Sequence, residues 1–284
     1  MNKRKLLFLS ILSVIFNASI FAQINPKGVA PGLVYNKVSE LQSVYPLTEN
    51  VEKLIAEDEL GLTPGLPERV AISIPINADF FSMGEWISLA NGGRFYQVRL
   101  LSPNAKNICL AFDKFALPEN AQLFFYSPDK ETLFGGFTHD DNHNSLAFTS
   151  PITNGEEIIV EYYEPDNNRV EGSAVLHISE LAHFYQHAYE TDKNSNIGAS
   201  EECHININCP EGDDWQTEKR GVARILMKVG SGWGWCSGTL INNTKQDGKP
   251  YFLTAEHCGG SASDSDRSQW VFRFGFERPG CEDS

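Results

Sequence analysis

The sequence is short of positive charge, of long apolar runs and, over most of its length, of cysteine. Its 284 residues hold 23 lysines and arginines against 37 aspartates and glutamates, which gives a formal net charge of -14. This acidic balance disfavours nucleic acid and anionic membrane surfaces as partners. After the first two dozen residues no stretch approaches the roughly 18 apolar residues of a transmembrane helix. Internal repeats and low-complexity tracts are also absent, which leaves a globular chain of about two domains.

The first 23 residues have the three parts of a secretory signal peptide. A basic start precedes an apolar run from Leu6 to Phe16, and Ala22 offers a small residue at a cleavage point. The apolar run is too short to span a bilayer, so we expect residues 1–22 to be removed and no anchor to be retained. The mature chain would then be secreted, to the periplasm or the exterior, with no membrane contact.

The stretch from Val70 to about Tyr163 consists of short β-rich runs separated by turn clusters such as Asn91-Gly92-Gly93. This rhythm predicts an all-β fold with a β-sandwich in this region. A polar, proline-interrupted lead-in with one predicted helix over 51–60 precedes it. The predicted strands are 70–76, 95–101, 108–112, 122–126, 146–149 and 158–163.

A helix is predicted after the sandwich. Ser179 offers an N-cap, and apolar residues from Leu181 to Ala188 fall on one side of the helix. Residues 191–202 are then small and polar without an apolar period, which places a domain boundary near 193–202. β-rich runs resume after it. The predicted strands there are 221–229, 235–241, 250–255 and 269–276. One more short strand, 175–178, is predicted before the helix.

Five of the six cysteines follow residue 200. A secreted chain can keep disulfides, so this region is predicted to be cross-linked, and the odd count leaves one cysteine without a partner in this sequence. Cys236 lies in one predicted strand, and Cys258 follows the next strand directly after His257. A bond between the two would stabilise the fold by roughly 3 kcal/mol and hold the imidazole beside the strand pair. A histidine fixed in this way suits general-base chemistry.

Four motifs follow one another in this region: Cys203, CPEG at 209–212, NNT at 242–244 and YFLTAEHCG at 251–259. Their order resembles the trypsin and chymotrypsin clan of serine peptidases, and most closely the bacterial lysyl endopeptidase precursors. The β-rich region before them resembles, more loosely, the proregion of such precursors. The resemblance implies a β-sandwich-like propeptide over residues 23–193, followed from residue 198 by the first part of a chymotrypsin-like double β-barrel.

The resemblance also implies a role for His257. It would take the proton of the nucleophilic serine and return it to the leaving amine, while an aspartate held its other ring nitrogen. Substrates would be proteins or peptides, and the enzyme's own propeptide would be a partner. Lys193 is a candidate propeptide cleavage site if the enzyme shares the family's preference for lysine.

The cysteine pairings are likewise implied by the resemblance. Cys236 would bond to Cys258, and Cys209 would bond to Cys281. Cys203 would bond to a cysteine located after Ser284, which accounts for the odd count.

The sequence departs from the family in lacking the serine turn, written GDSGG or GxSGS. Asp264 and Asp266 also lie too soon after His257 to be the family's aspartate. Residues 198–284 are far fewer than the roughly 200 to 250 expected for a complete fold of this type. We therefore expect a truncated precursor without cofactor or metal, inactive because the histidine has no nucleophile to activate.

Two alternatives stay open. A secreted non-enzymatic protein could use the β-sandwich to bind a partner. Residues 198–284 would then be a degenerate, peptidase-like remnant. A metal-dependent hydrolase could use His139 with His143, or His183 with His187 at helical spacing. Each pair lacks the further ligands of a zinc site, so a polar loop and a solvated helix face are the simpler interpretations.

Two further features of the sequence, a lone cysteine and a pair of tryptophans, are interpreted as residues that pack in the interior. Cys109, within a predicted strand, is expected to be a buried small apolar residue. Trp233 and Trp235 could line a carbohydrate groove, but burial is the more common role of such large rings.

Overall fold

The structure, a computed structural model, describes residues 28–61, 68–165, 173–188, 205–277 and 280–281. The predicted signal peptide, Lys193 and Cys203 lie outside these residues. The described part forms two β-sheets and no closed barrel, which confirms the predicted all-β class. None of its helices is long and apolar enough to cross a membrane.

The secondary structure is dominated by short strands. Three short α-helices are α1 (Pro31–Val34), α2 (Val51–Glu59) and α3 (Asp264–Arg267), and 3₁₀ turns lie at Phe80–Ser82, His139–Asp141, Pro210–Trp215 and Glu218–Gly221. The strands are β1 (Ser43–Val44), β2 (Arg69–Asp79), β3 (Glu85–Ser88), β4 (Arg94–Leu101), β5 (Asn107–Ala116), β6 (Gln122–Tyr126), β7 (Leu133–Phe137), β8 (Phe148–Thr149), β9 (Thr153–Asn154), β10 (Glu157–Glu164), β11 (Val175–Phe184), β12 (Val222–Val229), β13 (Gly232–Ile241), β14 (Tyr251–Thr254) and β15 (Val271–Phe274).

The two sheets pack face to face as a sandwich. One sheet has the order β1-β4-β10-β6-β7, with β3 on β4. The other has the order β15-β12-β13-β2-β11-β5-β8, with β14 on β13 and β9 on β5. Val98 and Phe125 of the first sheet share one apolar core with Leu110 and Leu181 of the second. Alternation along β5 sends Cys109 to the opposite face, where it is buried as expected.

The helix predicted after Ser179 is wrong, because Val175–Phe184 forms strand β11. This strand lies between β2 and β5 and pairs with both. Its apolar side chains are buried on two faces, in the core between the sheets and in the cluster around Cys109. The register also shifts between Ile178 and Glu180, which marks a β-bulge. Because of this burial on two faces and the shift in register, the apolar residues of β11 are spaced like those on one side of a helix. Instead of capping a helix, the Ser179 hydroxyl donates a hydrogen bond to the carbonyl oxygen of Ala111, at 3.0 Å.

The second sheet continues across the predicted domain boundary. Strand β2, before the boundary, pairs antiparallel with β13, after it. The Ser73 amide donates to the Ser231 carbonyl oxygen at 2.7 Å, and the Trp235 amide donates to the Glu68 carbonyl oxygen at 2.9 Å. Residues 189–204, which connect the regions, lie outside the described residues, and the position of the boundary stays a prediction.

A second apolar cluster fills the junction between the two regions. Trp233 is fully buried in it, beside Ala71 and Cys109 of the first region. Its indole Nε1 donates a hydrogen bond to the Ser73 hydroxyl at 2.8 Å. The Trp233 ring is therefore an interior packing group, so it cannot belong to a surface carbohydrate groove.

Candidate functional site

His257 lies in a tight turn directly after β14. Strands β13 and β14 pair antiparallel, and the turn closes through two backbone bonds, from Cys258 to Ala255 at 3.0 Å and from Gly260 to Glu256 at 2.8 Å. The His257 side chain is exposed. The hairpin therefore presents an imidazole that a substrate can reach.

Two disulfides are formed in the second region. One joins Cys236 of β13 to Cys258, with the Cα atoms 6.0 Å apart. The other joins Cys209 to Cys281, 72 residues later. These are the two pairings that the motif resemblance implied, and the first fixes the residue next to the histidine.

The inner side of the His257 turn packs against Trp270. Cys258 is buried in a cluster with β12 side chains, and Trp270 packs against that cluster. The Trp270 indole donates a hydrogen bond to the carbonyl oxygen of Lys228 at 3.0 Å. Gly259 has a φ of +90°, and a Cβ atom there would lie 2.5 Å from the Trp270 ring. Glycine is thus required both for the backbone conformation and for this contact.

Asp266 is engaged with partners other than His257. Its carboxylate accepts hydrogen bonds from the Lys228 ammonium at 2.8 Å and from the Ser263 amide and hydroxyl at 3.0 and 2.8 Å. Burial pushes the pKa of the Asp266 carboxyl upward, but the Lys228 and Ser263 donors outweigh it and lower the pKa to about 2. Asp264 pairs with Arg267 instead. Across the described residues, no carboxylate bonds to the imidazole of His257.

We expect Asp266 to stabilise the fold at neutral pH and to lose this contribution in acid. Its folded-state pKa is below that of an unfolded aspartate, so the contribution is complete above roughly pH 4 and lost as the pH falls through about 2. Asp266→Asn should lower the free energy of unfolding by about 2 kcal/mol at pH 7, with a smaller deficit below pH 4. Urea unfolding at several pH values measures this. Asp264→Asn, at an exposed carboxylate, should change less than about 0.5 kcal/mol, and equal deficits for both variants at every pH would contradict the assignment.

One group of potential metal ligands comes together in the described part of the chain. It contains Cys236, Cys258 and His257, whose ligand atoms all lie within 4.8 Å of one another. Both sulfurs are committed to the disulfide, so this state offers a metal only the imidazole.

The histidine pairs considered from the sequence do not form such a group among the described residues. His139 lies in a surface 3₁₀ turn beside Asp140. His183 is buried on β11, where its Nδ1 lies 2.8 Å from the Ser102 hydroxyl. Burial lowers the pKa of His183, more than the charge of Glu49 raises it. His183 is thus an interior hydrogen-bonded residue, and the helix that would have placed it beside His187 is absent.

A pocket of about 600 Å³, which sequence reasoning missed, adjoins the same hairpin. The guanidinium of Arg224 lies 3.9 Å from the centre of the Trp235 ring in its wall. Glu68 of the first region also lines the pocket, and burial raises the pKa of its carboxyl more than Arg224 lowers it. No single stretch of sequence signals this pocket, because its walls come from both regions.

Strands β14 and β15 carry exposed apolar side chains. All four residues of β15 are exposed, including Phe272 and Phe274. Tyr251 and Leu253 of β14 are exposed as well. The rings of Phe272 and Phe274 lie beside Phe252, whereas Tyr251 and Leu253 alternate to the other face of β14.

Comparison with known proteins gives two family matches. The model "Lysyl endopeptidase N-terminal domain" matches residues 52–185, and "Lysyl endopeptidase, C-terminal domain" matches residues 197–284. A lysyl endopeptidase from Pseudomonas aeruginosa is 23% identical over 210 residues, which is 70% of this chain and 45% of that protein. The chain thus spans about half the length of this relative. No solved structure matches it at a significant level.

Proposed function

Because the chain belongs to the lysyl endopeptidase-like family of serine peptidases, we propose that it is part of the precursor, or zymogen, of a secreted endopeptidase that cleaves proteins after lysine. In this proposal a signal peptide directs export, and residues 23–193 form the propeptide. The single observation that carries the proposal is an accessible His257 on a disulfide-anchored turn.

The proposed role of His257 is that of general base. Its imidazole accepts the proton of a serine hydroxyl as that oxygen attacks the peptide carbonyl, then passes the proton to the leaving amine. Such a base must be both reachable and held in one place. The exposed side chain meets the first condition, and the bonded, buried Cys258 next to it meets the second.

We propose that the serine and the orienting aspartate belong to a segment of the precursor after residue 284. The exposed rings of Phe272 and Phe274 on β15 support this, because further strands packed on that face would remove both from water. Burial of apolar surface in this way stabilises the folded protein by roughly 25 cal/mol for each square ångström covered. Without that segment the present chain lacks the nucleophile and should be inactive.

The proposed propeptide contacts the peptidase region through more than the shared sheet. The Lys228 ammonium lies 3.5 Å from the Glu180 carboxylate of β11. The Thr149 hydroxyl donates to the Gln269 carbonyl oxygen at 2.8 Å. Together with the buried Trp233, these contacts support a propeptide that is a specific partner of the peptidase region.

The experiment compares the 284-residue chain with the product of the complete reading frame that contains it. The complete product should hydrolyse peptides after lysine but not after other residues, and its mature N-terminus should follow Lys193. The 284-residue chain should be inactive on the same peptides. A stop codon directly after Ser284 would favour the non-enzymatic binding protein, and a mature N-terminus far from residues 194–203 would rule out cleavage after Lys193.

A further inference from the structure

We propose that reduction of the Cys236–Cys258 disulfide turns the His257 turn into a site for a thiophilic divalent cation such as Zn²⁺, bound by the two thiolates and the imidazole. The three ligand atoms already lie within 4.8 Å of one another. Tetrahedral zinc, with Zn–S of about 2.3 Å and Zn–N of about 2.0 Å, separates neighbouring ligand atoms by about 3.5 to 3.8 Å. The two sulfurs, about 2 Å apart in a disulfide, would have to separate by roughly 1.5 to 2 Å.

The arrangement of the two cysteines does not rest on the sulfur–sulfur bond alone. Strands β13 and β14 stay paired through backbone bonds, and the Thr254 hydroxyl donates to the Ser237 carbonyl oxygen at 2.8 Å. Cys258 is also held by its burial against β12 and by the turn's own backbone bonds. We therefore expect both thiols to remain near His257 after reduction.

A cation can reach this group and find an open coordination position. His257 is exposed and Cys236 is half-buried, so the site opens to solvent. The Cα atoms of the two cysteines are 6.0 Å apart, a spacing that leaves room for the sulfurs to separate around a metal. Three protein ligands leave the fourth position of a tetrahedral site for water.

The redox step balances with a dithiol as the reductant. The dithiol passes two electrons and two protons to Cys236 and Cys258, which become thiols, and is itself oxidised to a disulfide. The cation then displaces the two thiol protons and takes the lone pair of one His257 nitrogen. That nitrogen can no longer accept a proton.

Metal binding at this site has one consequence that rests on the proposed function, although the site itself does not. The chain is made in a reducing compartment, where the thiols are free, and meets an oxidising one after export. In the folded, reduced protein a bound cation would block the general base of a peptidase. Formation of the disulfide would release the cation and free His257.

The test uses the 284-residue chain carrying Cys203→Ser, reduced with a phosphine, which is oxidised to its oxide with oxygen from water. Co²⁺ is the probe, because its four-coordinate thiolate complexes show intense visible bands. The reduced protein should bind one Co²⁺, Zn²⁺ should displace it, and the oxidised protein should show no such bands. His257→Ala should weaken binding by more than about tenfold, because it leaves two protein ligands.

Matched variants separate this site from other thiols. Cys209→Ser, in the second disulfide, should leave the cobalt spectrum unchanged, and Cys258→Ser should abolish it. Absence of the bands in the reduced protein, equal affinity in His257→Ala, or their loss in Cys209→Ser would each overturn the proposal. Circular dichroism of the reduced protein checks that the sheet is retained. Since cobalt binding requires no catalysis, this result is independent of any peptidase assay.

Discussion

Replacing His257 with alanine in the complete precursor should lower kcat for hydrolysis of a lysyl peptide bond by about 10⁴-fold or more. The serine hydroxyl is a poor nucleophile unless a base takes its proton as it attacks. Substrate binding does not depend on this proton transfer, so KM should change little. The steady-state kinetics on one peptide measure both parameters, with the variant precursor processed by added wild-type enzyme that is then removed.

The control for this prediction is Asp264→Asn, at an exposed carboxylate of the peptidase region that pairs with Arg267. It should leave kcat and KM unchanged after processing. Because His257 is also exposed, its replacement should alter the free energy of unfolding by less than about 0.5 kcal/mol. A loss of activity that is matched by a large loss of stability would show a structural role for His257 instead.

The largest stability effect is expected for Trp233→Ala. The indole is fully buried where the two regions share a sheet, and it donates a hydrogen bond to the Ser73 hydroxyl. Truncation would leave a cavity among Ala71, Cys109 and neighbouring side chains. We expect the free energy of unfolding of the 284-residue chain to fall by about 3 to 5 kcal/mol, measured by urea denaturation.

Two further substitutions calibrate that result. Trp233→Phe keeps most of the buried area and loses mainly the hydrogen bond, so we expect a cost of roughly 1 to 2 kcal/mol. Trp215→Ala, at a side chain that is 58% exposed, should cost less than about 1 kcal/mol. If Trp233→Ala destabilised the protein no more than Trp215→Ala, the junction would not be the apolar interface that we describe.

The sequence predicted the strands well where one face is buried and turn residues mark the ends. Strand β6 has the predicted bounds, 122–126, and helix α2 differs by one residue at its end. Only the first part of β11, residues 175–178, was predicted as a strand, because β11 is central, buried on both faces and interrupted by a bulge. In such a strand the alternation on which sequence reasoning depends is lost.

The candidate site was predictable to the extent that it is local. His257 and Cys258 are neighbours in sequence, and Cys236 lies on the adjoining strand of one hairpin. The pairing of β2 with β13 joins residues some 160 positions apart, and no local pattern reports such a contact. The salt bridge between Lys228 and Asp266 was missed for the same reason, because neither residue signals its partner.

Labelling with a fluorophosphonate shows whether His257 activates a serine nucleophile. This reagent reacts with serines whose hydroxyl proton is removed by a neighbouring base. The processed wild-type product of the complete reading frame should take up one phosphonate per chain, on a serine after residue 284, and His257→Ala should take up almost none. Equal labelling of both proteins, or no labelling of the wild type, would show that His257 does not activate a serine nucleophile.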